Sequence, residues 1–581
     1  MTASDFRAHR PTVTGTRHMV AAGHYLAAHV GFLVLEAGGN AIDAGVATGI
    51  TEGVVESHFH AFSGVSPILV YWAEAGEVAT VDGVGTWPKA ASCQYFHDRF
   101  EGRIPQGVQS AIVPAPPDAW ITALRRWGTM SFGELAARAI AFARDGFPMY
   151  PHLAMLIEDR IDLIRGWPGN SAVFLPGGRG PAVGELFRQP ALAATLQHMA
   201  DEEKAAAAKG GRDAGLRAAR DAFYKGDIAH AFAAYMKAHD GLLSYDDMAG
   251  FEATVEPAVK SRFRDFEIHG CGPWTGAPML LQALAILDGL DLEGMGHNSP
   301  PYIHALTEAI KIAAADRHGY YGDPRFVDVP IDALLAPAYA AERRRLIDPA
   351  RALPDMPAPG RIEGAAWPAT APGLDGVPAG AGKADAGALA TTFFCVVDSD
   401  SNVFASTPSS GAVSAPIIPE LGLPVSTFGV HSSTEPDHPH SVAPGKRPNC
   451  GCMPTLAIRP GRDLMPFGSP GSGVIPQAMM QVFFNINLFG MAPQEAVEAP
   501  RFASYSFPAG ETRETHPGLL RLEPPIAQDV ADALSSLGHR VEWFEERHWL
   551  VGSVSAIHKN LETGVVAGGA DPRRQAYAVG L

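Results

Sequence analysis

The feature that most constrains this chain is a break in composition just before residue 391. Residues 349–390, PARALPDMPAPGRIEGAAWPATAPGLDGVPAGAGKADAGALA, are dominated by Pro, Gly and Ala. A stretch of this kind holds too little apolar surface to offset its backbone entropy. It abuts TTFFCVVDSDSNVFAST at 391–407, whose aromatic and β-branched runs around an Asp-Ser-Asp-Ser-Asn turn predict a buried hairpin. Either the segment links two domains, or the chain is cut there and the run is the tail released by the cut.

A cut would be chemically consequential. If the Ala390–Thr391 bond broke, Thr391 would carry a free α-amine beside its own hydroxyl. Such an amine titrates at roughly 7.7–8.0, close to ideal for a general base near neutrality. Nucleophile and base would then sit on one residue. The same hydroxyl could make the cut by attacking the preceding carbonyl, given a loose segment upstream and a rigid strand downstream. GSPGSG at 468–473 lies between a strand-like LMPF and a helix-like VIPQAMMQVFFNI. A turn there either aims backbone N–H groups at a developing oxyanion or simply reverses the chain. Ser409 and Ser410, in STPSSG, return to Thr391 if the hairpin forms.

Composition narrows the function. With 46% hydrophobic and 18% charged residues the chain is globular, and 581 residues allow two to four domains. A net charge of −17 with no long basic run excludes a nucleic-acid surface. No apolar run approaches the roughly 18 residues of a membrane span, and the N-terminus lacks the pattern of a secretory leader. Cys93, Cys271, Cys395, Cys450 and Cys452 are scattered and form no zinc pattern, which suits free thiols in a reducing compartment. A cytoplasmic protein acting on a small molecule or peptide is expected.

Local patterns add elements. Residues 23–57 predict two helices joined at Gly38-Gly39-Asn40, with Asp43 in the first turn of the second. SPILVYWAEAGEVATVDGV predicts two strands about Gly76, and a helix ends at Asp145-Gly146. Residues 301–318 predict an amphipathic helix, and 201–222 a solvated helical surface insertion. Asp437, His438 and His440 in EPDHPHS could bind a metal, though a solvated loop is the simpler reading.

Several stretches in order carry a resemblance: LEAGGNAIDAGVA at 35–47, WGTM at 127–130, ARDGF at 143–147, FYKGDIA at 223–229 and ADRHGYYGDPRFVDVP at 315–330. After the junction come TTFFCVVDSDSN at 391–402, KRPNCGCMPT at 446–455, GSPGSG, APRF at 499–502 and ADPR at 570–573. Nearly end to end the chain resembles the γ-glutamyltransferase family of N-terminal-nucleophile hydrolases. The resemblance implies a four-layer αββα sandwich, an α+β fold, made as a proenzyme and cleaved between Ala390 and Thr391. Fragments 1–390 and 391–581 would stay associated as a heterodimer within one large domain, with a higher oligomer also open. Thr391 is then the nucleophile, Ser409 the partner of the new α-amine, and Gly471 and Ser472 the backbone donors to the oxyanion. The family works without metal or organic cofactor, on small-molecule amides.

The departures concentrate where the family grips glutamate. The position of its carboxylate-binding Arg falls on Val84, and its paired serines on Cys450 and Gly451. Gly411 replaces an Asn just after Ser409-Ser410, and Val430 and His431 stand where acids are expected. Losing an Arg–carboxylate contact removes about 1.5–3 kcal/mol. The resemblance therefore implies an amidohydrolase with a small, carboxylate-bearing, non-glutamyl acyl group, hydrolysing rather than transpeptidating, as do its relatives oxamate amidohydrolase and the glutaryl-cephalosporin acylases. Trp274, His431, His58 and His60 are candidates for reading that group. The alternatives are a true γ-glutamyltransferase and a non-catalytic scaffold.

Overall fold

The computed structural model describes residues 8–366, 390–508, 515–545 and 548–581. Two seven-stranded antiparallel sheets form its centre. One runs Val13–Gly15, Val566–Ala570, Ser555–Asn560, Asp463–Gly468, Thr455–Arg459, Phe266–Gly270 and Val259–Phe263. The other runs Tyr577–Gly580, Met19–Ala22, Phe394–Val397, Val403–Ser406, Ile68–Trp72, Glu77–Val81 and Val255–Pro257. Each sheet takes strands from both sides of the 390/391 junction.

The layering follows from strand alternation. In the strand after the junction, Cys395 and Val397 join Met19, Ala21, Leu456, Leu464 and Ile557 in a buried layer between the two sheets. Phe394 and Val396 point the other way, into a core with the helices Tyr25–Glu36 and Ala41–Val55. On the outer face of the first sheet, Ile268, Ala457, Met465 and Phe467 pack against Ala277–Leu287, Pro300–Tyr320 and Ile475–Asn487. The result is helix, sheet, sheet, helix: the expected αββα sandwich.

The quoted stretches meet in space. Asn40 caps the helix Ala41–Val55 through a capping box with Asp43. The Asp43 carboxylate also accepts the amides of Thr129 and Met130, tying WGTM to the helix start. Asp398, in the hairpin turn, accepts the amide of Ala41 at 2.9 Å. The strands Ile68–Trp72 and Glu77–Val81, the C-cap at Gly146 and the helix Pro300–Tyr320 stand where the sequence predicts them.

Two expectations are corrected. Residues 201–222 are helical and mostly exposed or half-buried, but they are not a free excursion: they belong to the helix Pro190–Tyr224, kinked at Gly211, which buries Leu216 and Phe223. Its Glu203 accepts the amides of Phe132 and Gly133, so the helix clasps the start of Phe132–Asp145. The Pro/Gly/Ala-rich segment is likewise not free along its described part. Ala352 and Met356 are buried. Ala352 donates to the Leu537 carbonyl, Leu353 to Glu308 and Gly360 to Asp316. Backbone hydrogen bonds, which composition does not register, dock residues 349–366; residues 367–389 lie outside the described residues.

Candidate active site

Thr391 sits where the antiparallel chain returns. It pairs with Ser409 in an isolated bridge, and Ser409 pairs in turn with Val65. The Thr392 amide donates to Pro408 and the Ser409 amide to Val65, so both hydroxyl residues are held by backbone from either side. The Thr391 and Ser409 hydroxyl oxygens lie 3.0 Å apart. The Thr391 hydroxyl donates to the Ala390 carbonyl at 2.6 Å, and the Ser409 hydroxyl donates to the same oxygen. Two O–H groups therefore converge on the carbonyl of the bond that would be cut.

Behind this pair lies a buried polar cluster that the sequence reading missed. Arg574 Nη1 donates to the Thr391 carbonyl at 2.9 Å. The Thr392 hydroxyl donates to Glu56 at 2.8 Å, and the Gly23 amide to Glu52 at 2.8 Å. Burial pushes the Glu56 carboxyl up to about 7, opposed by the Thr392 hydroxyl and the charge of Arg574. Burial, and after it the neighbouring Glu56, pushes Glu52 well above the usual carboxylate range. Burial also lowers Arg574 to about 10. Glu56 caps the C-terminal end of the helix Ala41–Val55 and Arg574 follows ADPR; the charge adjoining that matched stretch was the available signal.

A cavity of about 100 Å³ opens in front of Thr391. Among its walls are Ala390, Thr391, Ser409, Ser410, Gly411 and Gly451, with Cys452, Ser472 and Gly473 beside them. Val430 and His431 line it as well, together with Arg317, His318 and Asn449, none of which the sequence reading had singled out. Arg317 and His318 belong to the quoted ADRH and were given no role, because a helix's last turn carries basic residues for its dipole alone.

Backbone strain marks the same wall. Gly471 has φ 131° and Ser472 φ 54°, between the strand Asp463–Gly468 and the helix Ile475–Asn487. Ser410 has φ 73°, and its hydroxyl is buried with no partner among the described residues. Side-chain-bearing residues in the left-handed region cluster at functional sites. Ser472 and Gly473 line the cavity, while Gly471 supplies the turn that brings them there.

The remaining candidates fall outside. Val84 is fully buried with Trp87, Phe428 and Ile112, not on the cavity wall. Trp274 is buried too; its indole donates to Glu256 at 2.8 Å and its ring lies 4.7 Å from the Arg447 guanidinium. That Arg447 is paired through its Nη1 and Nη2 with Asp82, Glu256 and Asp323, so this corner is a structural ion cluster. Cys450 is buried behind Gly451, with its backbone bridged to Thr275. His58 and His60 are buried behind the wall, with His58 near Tyr150 and His152, and His60 against Trp120. All five cysteines are free and buried.

Asp437, His438 and His440 form no group at ligand distances; His438 packs on His318, and His440 lines the cavity. Among the described residues only His304, Glu308 and His539 bring donor atoms within 4.8 Å of one another. Lys311 stands 2.6 Å from the Glu308 carboxylate, so that acid already has a cation. No helix among the described residues is long and apolar enough to cross a membrane.

Comparison with known proteins places this geometry. The family model described as Gamma-glutamyltranspeptidase matches residues 27–581. The chain is 31% identical to the Acylase ACY 1 proenzyme of Pseudomonas sp. (strain SE83), over 100% of this chain and 97% of that protein. It superposes on the structure of LmbA2991HD with a TM-score of 0.90 at 32% identity, covering 99% of this chain and 100% of that one. On the cephalosporin acylase from Bacillus halodurans the TM-score is 0.83 at 26% identity, covering 99% and 98%. With the family model spanning residues 27–581 and the fold shared over nearly the whole length of these proteins, the chain belongs to the gamma-glutamyltranspeptidase family of N-terminal-nucleophile amidohydrolases.

Proposed function

We propose that this protein is made as a precursor, cuts itself between Ala390 and Thr391, and then hydrolyses an amide through an acyl-enzyme on Thr391. The observation that carries the reading is the convergence of the Thr391 and Ser409 hydroxyls on the Ala390 carbonyl. In maturation the Thr391 oxygen attacks the Ala390 carbonyl carbon and the C–N bond breaks. An ester links Ala390 to the Thr391 oxygen, and the α-amine is freed. Water then hydrolyses the ester. Ser409, donating to the oxygen that takes up negative charge, stabilises the tetrahedral state.

In turnover the freed α-amine receives the Thr391 hydroxyl proton as the oxygen attacks the substrate amide. That proton passes to the departing amine, and a water molecule releases the acyl group as a carboxylate. The turn at Gly471-Ser472-Gly473 directs backbone N–H groups to the oxyanion. Ser410, Gly411, Gly451 and His431 form the acyl pocket, with Cys450 supporting it. The acylase relatives support amide hydrolysis, and we assign a small, carboxylate-bearing, non-glutamyl acyl group. No Asp or Glu lines the cavity among the described residues, so the ammonium of a γ-glutamyl group finds no counter-charge there.

Intact mass and N-terminal sequencing of the purified protein, beside Thr391→Ala, test the reading. The expected result is two fragments, the smaller beginning Thr-Thr-Phe-Phe, with the variant left whole and inactive. A wild-type chain that stays whole and turns over no amide would sink it in favour of a scaffold. Faster turnover of a γ-glutamyl anilide than of any other acyl anilide would favour the transferase.

A further inference from the structure

Arg317, in the last turn of the helix Pro300–Tyr320, lines the cavity shared with Thr391. Among the described residues no carboxylate lies within ion-pair distance of it, in contrast to Arg447 with its three acids. Its side-chain hydrogen-bond partner is neutral: Nη2 donates to Asn449 Oδ1 at 2.9 Å. The side chain is half-buried on the cavity wall, and burial pushes its guanidinium pKa down, so the cavity presents a partly desolvated cation with no carboxylate beside it among the described residues. Asn449 uses one of five N–H donors and fixes the plane of the fork. Ala314, Phe428, Val430 and Ile475 give the cavity an apolar wall beside that cation.

We propose that Arg317, aimed by Asn449, binds the carboxylate of the acyl group, and that this group carries no ammonium. The proposal rests on Thr391 being the nucleophile. A guanidinium matches a carboxylate through two parallel N–H···O bonds, a fit that lysine lacks. The apolar wall accommodates a short hydrocarbon spacer between that carboxylate and the amide. An α-ammonium would face Arg317 with like charge. A position 233 residues from Val84, on a different element, thus supplies the cation that the strand end does not.

The test compares 4-carboxybutanoyl and pentanoyl p-nitroanilides, of equal acyl length, on the matured protein and on Arg317→Gln, Arg317→Lys and Asn449→Asp. The expected wild-type kcat/KM favours the carboxylate-bearing acyl group by about tenfold to a hundredfold. Arg317→Gln should abolish that ratio, chiefly through KM, and Arg317→Lys should keep part of it. Asn449→Asp pairs the guanidinium internally and should lower the ratio as Arg317→Gln does; it carries the comparison if Arg317→Gln does not fold. A ratio within about threefold of wild type in cleaved Arg317→Gln or cleaved Asn449→Asp would overturn the proposal. Glutarate binding by calorimetry separates the two readings. If the protein neither cleaves itself nor turns over either anilide, the Thr391 reading fails. The anchor still stands if Arg317→Gln loses glutarate binding, and falls if it does not.

Discussion

At the scale of single residues, the site combines two hydroxyls, one carbonyl and a buried polar cluster behind them. Replacing Ser409 by Ala removes a donor to the Ala390 carbonyl and should slow self-cleavage by about a hundredfold to a thousandfold. Ser409→Thr keeps the hydroxyl and should cleave at a near-normal rate; both follow from the time course of fragment appearance on a gel. Glu56 gives a pH signature. Its carboxyl holds its proton up to about 7 in the folded chain, against 4.5 ordinarily, because burial disfavours the charged form. The unfolded chain therefore loses that proton first as pH rises. The protonated carboxyl leaves stability intact below about 4.5, and stability falls as pH climbs from there to about 7. Glu56→Gln should flatten the slope of unfolding free energy between those values, read from denaturant titrations at pH 5 and pH 8. A slope unchanged by the substitution would show that Glu56 is not the group responsible.

At the scale of elements, the site depends on a close approach between two loops. A Cβ on Gly411 would come within 1.9 Å of the His58 carbonyl oxygen, and the neighbouring Phe59 nitrogen is also close. Both are backbone atoms, so no rotamer change relieves the clash. Gly411→Ala should cost about 1–3 kcal/mol or more of stability and shift Ser409 and Ser410 off the cavity wall. Thermal melting beside the cleavage rate checks it; an unchanged melting temperature with normal cleavage would mean the loops separate easily. Ser472 lies in the left-handed region without being glycine. Ser472→Gly should preserve cleavage and raise stability by up to about 1 kcal/mol.

At the scale of the whole molecule, the two sides of the junction are interleaved. Phe394–Val397 lies between Met19–Ala22 and Val403–Ser406, and Val403–Ser406 between that strand and Ile68–Trp72. A cut at residue 390 therefore severs one bond and leaves two continuous sheets. The fragments should co-elute from a sizing column as one species and part only in denaturant; separation in native buffer would contradict the sheet order.

The sequence alone was enough to find the hairpin after residue 391, the Gly471 turn, and the helices around Gly38-Gly39-Asn40, because these are written in local periodicity and turn chemistry. Thr391 was legible because a composition break and a strand start coincide there. Arg317, Asn449, Glu56 and Arg574 were not, since a single polar or charged side chain has an ordinary explanation until its neighbours are known. The sequence also misjudged Val84 and Trp274, which match positions in a motif but point into a core with Phe428 or toward Arg447. Which face of an element meets the cavity depends on packing between residues hundreds of positions apart. Only the tertiary structure decides that, because desolvation and charge pairing are properties of the assembled surroundings rather than of the chain.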